Sequence, residues 1–110
     1  MVLIGMCPMD AQAKFGIPDV IGDKREAVLQ LAERYGARNV RVFGSVARGD
    51  ATLDSDVDFL VDFPVGYRLL DHTGLQQELQ VLLGRRVEVA IERNLREEFR
   101  SFILKDAISL

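Results

Sequence analysis

Apolar residues recur at spacings of three and four positions in three stretches of the chain, which predicts three amphipathic helices. The first begins after the candidate N-cap Asp23, and the second begins at Thr73, where Thr73 and Gln76 resemble a capping box. Gly36 and Gly84 follow these two helices and are typical of helix ends. The third helix is predicted to run to the C terminus. The apolar faces, in chain order, are Val28, Leu31, Ala32 and Tyr35; Leu75, Leu79, Leu82 and Leu83; and Phe99, Phe102, Ile103, Ala107 and Leu110.

Three short strands are predicted between these helices. The run Val40–Phe43 is β-branched and aromatic, as in a buried strand, whereas residues 57–61 and 87–91 alternate apolar and polar side chains. The order helix, strand, loop, strand, helix, strand, helix indicates an α/β (α+β) domain, in which helices cover a sheet of three strands or slightly more. The patterns leave the order and direction of the strands open.

The length and the turn residues indicate a single domain. A chain of 110 residues falls within the usual range for one domain. Pro18 and the stretch 21–23 separate the N-terminal residues from the first predicted helix. We therefore expect residues 1–20 to form a mobile N-terminal segment and residues 21–110 to form the domain.

The composition excludes several classes of function. The chain carries 14 Lys and Arg against 17 Asp and Glu, and this net charge of −3 argues against direct binding of nucleic acid. The longest apolar stretch, residues 1–9, is too short to cross a membrane. Cys7 is the single cysteine and His72 the single histidine, which excludes an internal disulfide and Cys- or His-rich metal centres. We expect a reduced, cytoplasmic compartment.

The candidate chemistry lies in residues 44–62, where five aspartates accompany a single cation, Arg48. Asp56 and Asp58 are two positions apart on a predicted strand, so their side chains lie on the face opposite the buried Val57. Two carboxylates on one face repel each other unless a cation joins them. Oxygen ligands of this kind suit Mg²⁺, which takes one or two carboxylates and completes its shell with waters and phosphates.

Glu88 is a candidate third carboxylate. The alternation of its strand turns it away from the buried side. If that face adjoins the two aspartates, three carboxylates converge, as a two-metal phosphoryl-transfer site requires. The alternative is an exposed glutamate that pairs with Arg85 or Arg86.

Gly44 and Ser45 follow directly after the first predicted strand. A glycine there lets the backbone approach a ligand closely, and the serine hydroxyl and the amides after it suit a phosphate. Ten residues separate this pair from Asp56-Val57-Asp58. The complete spacing resembles the GSx10DxD signature of the DNA polymerase β-like nucleotidyltransferase superfamily. The longer string from Gly44 to Gly49 resembles the minimal nucleotidyltransferases within it, which are often antitoxin partners of HEPN-domain ribonucleases.

The resemblance covers the chain from about Lys24 to the C terminus and implies a palm-like mixed sheet flanked by helices. It implies that Asp56 and Asp58 bind metal ions, a pair of Mg²⁺ ions, and that Gly44 and Ser45 hold the triphosphate of ATP.

Two further residues take roles from the same resemblance. Arg48 matches a position where the family often has arginine, and it would contact phosphate or pair with a loop aspartate. Glu88 stands where the family usually has an aspartate, and it would serve as a metal ligand and general base. The glutamate keeps the charge and is longer by one methylene, so the resemblance leaves its position relative to the metal open.

The implied function is transfer of AMP from ATP to a hydroxyl, a tyrosine, of a partner HEPN toxin, with this protein as the antitoxin. One alternative is a non-catalytic antitoxin that neutralises its partner by contact, and another is nucleotidyl transfer to a small molecule. A third is an acidic α/β domain whose aspartates form a metal-stabilised turn. A homo-oligomer is also left open, because the apolar face at Phe99, Phe102 and Ile103 is typical of either a core or an interface.

Overall fold

The computed structural model describes residues 14–110 and shows one sheet of four strands with helices packed against it. The helices are α1 (Ile17–Val20), α2 (Arg25–Arg34), α3 (Gly44–Arg48), α4 (Leu69–Leu83) and α5 (Glu97–Asp106). The strands are β1 (Arg38–Phe43), β2 (Val57–Asp62), β3 (Val87–Ile91) and β4 (Ile108–Ser109). Short 3₁₀ turns occupy Gly22–Lys24 and Glu92–Asn94. None of the helices in the described range has the length and apolar composition needed to span a bilayer.

The sheet is mixed, with strand order β3-β2-β1-β4. β1 pairs antiparallel with β2 on one side and with β4 on the other, whereas β2 and β3 are parallel. A parallel pair needs a crossover connection, and α4 provides it between β2 and β3. The predicted class, a small mixed sheet flanked by helices, is confirmed.

The two faces of the sheet have different roles. Val57 and Phe59 of β2 are fully buried and join Val28 of α2 and Leu75 of α4 in the main apolar cluster. Successive side chains along a strand lie on opposite faces. Asp58, between the two buried residues, therefore lies on the face away from this cluster and is only half-buried.

The predicted N-terminal segment, residues 1–20, lies partly within the packed structure. Residues 1–13 lie outside the described residues. Phe15 forms an isolated bridge with Ala51, with backbone hydrogen bonds of 2.7 and 3.1 Å, and α1 follows it. Val20 and Ile21 are buried in the molecule. The packed unit therefore includes residues on the N-terminal side of the predicted boundary at residue 21.

The second predicted helix begins earlier than its capping pattern indicates. α4 starts at Leu69, and Thr73 lies inside it. The backbone N–H of Arg68 donates to the Asp71 carboxylate at 3.3 Å, which caps the first turn. Leu69 and Leu70 are apolar but 73% and 77% exposed, and the residues three and four positions before Leu75 are polar, so the apolar spacing of the helix does not extend into this turn.

The third predicted helix is shorter than its apolar spacing suggests, and the prediction that it reaches the C terminus is wrong. α5 ends at Asp106, after which the chain extends. Ile108 and Ser109 pair with β1, and the Leu110 N–H donates to the Val40 carbonyl at 3.0 Å. The edge of β1 thus provides backbone partners that a continued helix would leave unused.

Candidate active site

Gly44 forms the junction between β1 and α3, directly against Asp58. Phe43 pairs with Asp58 across the antiparallel strands, and Gly44 turns the chain with φ +76°. A Cβ built on Gly44 would lie 3.3 Å from Asp58 Cγ and would overlap Oδ2 of the same carboxylate. Both the left-handed backbone and the close approach therefore require glycine here.

Ser45 lies in the first turn of the five-residue helix α3 and is half-buried. Its carbonyl accepts a hydrogen bond from the Asp50 N–H at 3.0 Å, which closes the end of the helix. Gly49, in the left-handed conformation at φ +81°, follows the helix as its cap. The end of β1, the Gly44-Ser45 pair and the turn after α3 thus form one compact corner beside Asp58.

Asp58 and Glu88 lie side by side on parallel strands. They are register partners across β2 and β3, and Asp56 immediately precedes β2. Burial, then the negative charges of Asp56 and Glu88, raise the pKa of the Asp58 carboxyl to about 6, and Arg48 opposes this rise. The three predicted carboxylates therefore share one region of the sheet face and influence one another electrostatically.

Asp56 has one oxygen that the fold leaves without a hydrogen bond. Oδ1 is buried and accepts none, although Nε of Arg86 lies 3.1 Å away in an ion pair. The Arg86 side chain is 77% exposed, so it approaches the carboxylate from the solvent side. A buried acceptor without a hydrogen bond is unfavourable unless another group satisfies it.

Glu88 is exposed and does not pair with either neighbouring arginine. Arg86 pairs with Asp56, and Arg85 donates to the Thr52 carbonyl at 3.2 Å. Across residues 14–110 there is no group of three or more Asp, Glu, His or Cys side chains arranged to hold a metal ion by themselves. The assignment of Glu88 as a metal ligand and base stays a prediction.

Arg48 ends α3 and is held by carboxylates on two sides. It pairs with Asp50 at 3.4 Å and with Asp106 of α5 at 2.8 Å, and these contacts raise its pKa. The pairing with a loop aspartate, one of the two predicted roles, is present. A phosphate contact by Arg48 stays a prediction.

The two aspartates fit a magnesium ion that substrate phosphates help to hold. Oδ1 of Asp56 is buried without a hydrogen bond, and the pKa of Asp58 is raised by burial and then by the neighbouring negative charges, both of which a bound cation would offset. The absence of a Cβ at Gly44 keeps the Asp58 carboxylate accessible on that side. Because Mg²⁺ is commonly bound through one or two carboxylates together with waters and phosphates, the oxygen donors present are sufficient in kind.

The partners of Arg86 and Asp106 were not predicted from the sequence. Both depend on tertiary structure: Arg86 reaches Asp56 because β2 and β3 are parallel, and Asp106 reaches Arg48 because α5 packs against α3. One sequence signal for the first contact exists. The patterns Asp56-x-Asp58 and Arg86-x-Glu88 have equal spacing, and parallel pairing in register sets one beside the other.

Comparison with known proteins assigns the family. Residues 24–110 match the family described as nucleotidyltransferase domain. The protein adenylyltransferase MntA of Thermococcus cleftensis is 40% identical over 79 residues, which are 72% of this chain and 80% of MntA. A solved structure assigned to a minimal nucleotidyltransferase has a TM-score of 0.73 and 53% identity, covering 80% of this chain and 90% of that one.

A more distant solved structure, a toxin–antitoxin crystallised with AMP-PNP, has a TM-score of 0.68 at 17% identity. It covers 76% of this chain and 69% of that chain, and at this identity it shows the shared fold. The family match over most of the chain, with the MntA relative, shows that this protein belongs to the nucleotidyltransferase domain family, as a minimal nucleotidyltransferase.

Proposed function

We propose that this protein transfers AMP from ATP to a hydroxyl group, a tyrosine, of a partner toxin, and so acts as the antitoxin. The observation that carries the proposal is the corner at which Gly44 lies against Asp58, with Asp56 and Glu88 beside it. The MntA relative named as a protein adenylyltransferase supports a protein as the acceptor. The toxin–antitoxin structures of the same fold support a toxin as that protein.

The triphosphate of ATP is proposed to lie over Gly44 and Ser45, where the backbone reaches the Asp58 carboxylate without an intervening Cβ. Asp56 and Asp58 would hold Mg²⁺, as a pair of ions. When bound, the metal supplies neutralisation of the phosphate charge and of the departing pyrophosphate. The protein's own contribution is positioning, because the corner binds one end of the nucleotide rigidly.

Glu88 is proposed to act on the acceptor. Its carboxylate is exposed beside Asp58 and is not engaged by Arg85 or Arg86, so an incoming hydroxyl can reach it. The acceptor oxygen forms a bond to the α-phosphorus, and the bond from that phosphorus to the β-phosphate oxygen breaks. The hydroxyl proton passes to Glu88, and pyrophosphate leaves.

Arg48 is proposed to contact a phosphate of the nucleotide from the α3 side. It lies close enough to Asp58 to lower the pKa of that carboxyl, so it borders the same group of carboxylates. Its present partners are Asp50 and Asp106. A phosphate contact therefore requires exchange of at least one of these ion pairs for the ligand.

The proposal also includes the partner and the compartment. A HEPN ribonuclease is the proposed toxin, since minimal nucleotidyltransferases are often encoded with one. A cytoplasmic location is proposed from the single cysteine, because cytosolic proteins rarely rely on disulfides.

Intact-mass spectrometry tests the proposal. The protein is incubated with MgATP and the product of the neighbouring gene, and peptide mapping then locates any adduct. We expect an AMP-sized mass increase on a tyrosine of the partner, absent with the Asp56→Asn, Asp58→Asn double variant. The same adduct with the double variant would contradict the assigned roles of both aspartates.

A contact-only antitoxin is the second candidate. It is favoured by Glu88, which stands where the family usually has an aspartate, and by the absence, within residues 14–110, of a three-residue metal group. It predicts a stable complex of the two proteins with no adduct. In that case Glu88→Asp, which restores the residue usual in the family, would be the variant to test for a gain of transfer.

A further inference from the structure

Arg86 lies beside Asp56 because of the parallel pairing of β2 and β3. The Arg86 carbonyl accepts a hydrogen bond from the Val57 N–H at 3.0 Å, and Val57 and Val87 are register partners. The residues just before this pair, Asp56 and Arg86, are thus neighbours. Nε of Arg86 lies 3.1 Å from Asp56 Oδ1.

Among the described residues, Arg86 is the cation that pairs with Asp56, and it pairs with no other carboxylate. Arg48 is shared between Asp50 and Asp106. Arg85 donates to the Thr52 carbonyl and lies 5.4 Å above the ring of Phe15. In residues 14–110, the ion pair with Asp56 is the one salt bridge formed by Arg86.

The contact is electrostatic and incomplete. Asp56 Oδ1 accepts no hydrogen bond although the guanidinium is close, and the Arg86 side chain is 77% exposed. Exposed ion pairs of this kind are weak, since water screens them and side-chain entropy opposes them. Arg86 therefore balances the charge of Asp56 but donates no hydrogen bond to its buried Oδ1.

We propose that Arg86 is the internal counter-ion of Asp56 in the metal-free protein and that a divalent cation displaces it from Asp56 on binding. A divalent cation bound at Asp56 Oδ1 would repel the Arg86 guanidinium, whose Nε lies 3.1 Å from that oxygen, and water would screen this repulsion only in part. Arg86 is then a positioning residue that lowers the affinity of the site for free metal. The inference rests on the proposed function only in taking Asp56 as a metal ligand.

Metal binding without nucleotide tests the proposal. Mn²⁺ affinity is measured by titration calorimetry for the wild type, Arg86→Gln, Arg86→Lys and Arg85→Gln. We expect Arg86→Gln to bind Mn²⁺ roughly two- to fivefold more tightly, the range that loss of one exposed ion pair allows. Arg86→Lys keeps the charge and should remain near the wild type. Arg85→Gln, the matched neighbour that pairs with no carboxylate among residues 14–110, should not change the affinity.

A second readout follows Arg86 directly. In ¹⁵N-labelled protein, the side-chain Nε–H signal of Arg86, identified by its loss in Arg86→Lys, is recorded during titration with Mg²⁺. We expect it to shift together with the backbone amide of Val57, which follows Asp56. A shift of the Val57 amide with an unchanged Arg86 signal would overturn the proposal.

The outcomes separate this inference from the proposed function. If the double variant Asp56→Asn, Asp58→Asn loses Mn²⁺ binding while Arg86→Gln equals the wild type, the counter-ion proposal is wrong and the metal site stands. If the double variant binds Mn²⁺ as the wild type does, both the metal assignment and the counter-ion proposal are wrong. If no variant binds Mn²⁺ without nucleotide, the counter-ion proposal is wrong, whereas the proposed function, in which substrate phosphates help to hold the metal, is decided by the mass spectrometry experiment. Tighter binding by Arg86→Gln that depends on Asp56 supports both.

Discussion

At the scale of single residues, Gly44 and Asp58 constrain the site most strongly. Gly44 has φ +76° and lies where any side chain would collide with the Asp58 carboxylate. Asp58 in turn is half-buried beside two other carboxylates, which raises its pKa to about 6. Each residue therefore limits what the other position can accept.

Gly44→Ala should reduce both stability and nucleotide binding. The matched control is Gly66→Ala, because Gly66 has φ +89° but no atom lies within 4 Å of the position that a Cβ would take there. The control should lose about 1 kcal/mol of unfolding free energy from the left-handed backbone alone. Gly44→Ala should lose about 2–3 kcal/mol, since it also displaces a carboxylate. Urea denaturation measures the free energy of unfolding of both variants, and equal losses would contradict the close approach of Gly44 to Asp58.

The stability of the metal-free protein should fall as the pH rises through the titration of Asp58. Its pKa is about 6 in the folded state against 3.8 as reference, so between these values the folded state binds more protons than the unfolded state. Asp58→Asn removes this penalty and should raise the melting temperature by roughly a few degrees at pH 7.5, with little change at pH 4. The variant Asp54→Asn, at an exposed position, keeps Asp58 and should therefore follow the pH dependence of the wild type. If the melting temperatures of the wild type and of Asp58→Asn changed equally with pH, the assignment of the raised pKa to Asp58 would be contradicted.

At the scale of elements, α4 closes the free edge of the sheet. β3 is an edge strand, and edge strands expose backbone groups that invite pairing with other chains. Gln76 accepts from the Val89 N–H at 3.0 Å, and Gln80 accepts from the Val87 N–H at 3.2 Å. His72 Nε2 lies 2.6 Å from the Val89 carbonyl. The spacing of four along α4 thus provides a row of side-chain partners for this edge.

Gln76→Ala should weaken this edge. The Val89 N–H loses its acceptor, which costs about 1 kcal/mol of unfolding free energy because water replaces the side chain only in part. Gln77→Ala is the matched control, since Gln77 is exposed on the next position of the same helix. Hydrogen exchange of the Val89 amide should be faster in Gln76→Ala and unchanged in Gln77→Ala. Equal exchange rates in the two variants would mean that Gln76 does not protect the strand.

At the scale of the whole molecule, the two helical layers are unequal. α2 and α4 bury the apolar face of the sheet, whereas α5 has no fully buried residue and contacts β1 and α3. Charged pairs hold it there: Glu92, just before α5, pairs with Arg100 and with the buried Arg41, and Asp106 pairs with Arg48. The site is therefore bordered by an element attached through ion pairs at its two ends.

Nucleotide binding should stabilise the whole domain. A ligand at one hundred times its Kd adds about 2.7 kcal/mol to the free energy of unfolding, which corresponds to an increase in melting temperature on the order of 10 °C for a domain of this size. We expect this with Mg²⁺ and a non-hydrolysable ATP analogue, measured by differential scanning fluorimetry. The Asp56→Asn, Asp58→Asn variant should show little increase. An equal increase in the variant would place the nucleotide elsewhere on the molecule.

Most of the elements, and the turn at Gly44, could be predicted from the sequence because they depend on local patterns. Apolar periodicity revealed the central residues of the helices α2, α4 and α5, and β-branched or alternating apolar residues revealed the strands β1 to β3. The spacing from Gly44-Ser45 to Asp56 and Asp58 indicated the family because it resembles the family's signature. The start of α4 escaped prediction because the two leucines of its first turn are exposed and do not continue the spacing of the buried face.

Tertiary structure decided what depends on residues far apart in the chain. Residues 107–110 suit a helix face and a strand equally well, and only the open edge of β1 made Ile108 and Ser109 a strand. Arg41, within an apolar run, is buried because Asp62 and Glu92 lie beside it once the chain has folded. The pairing of Arg86 with Asp56 likewise required parallel strands, whose direction no local pattern specifies. Residue types and local spacing thus determined the candidate chemistry, and long-range packing determined which charges face one another.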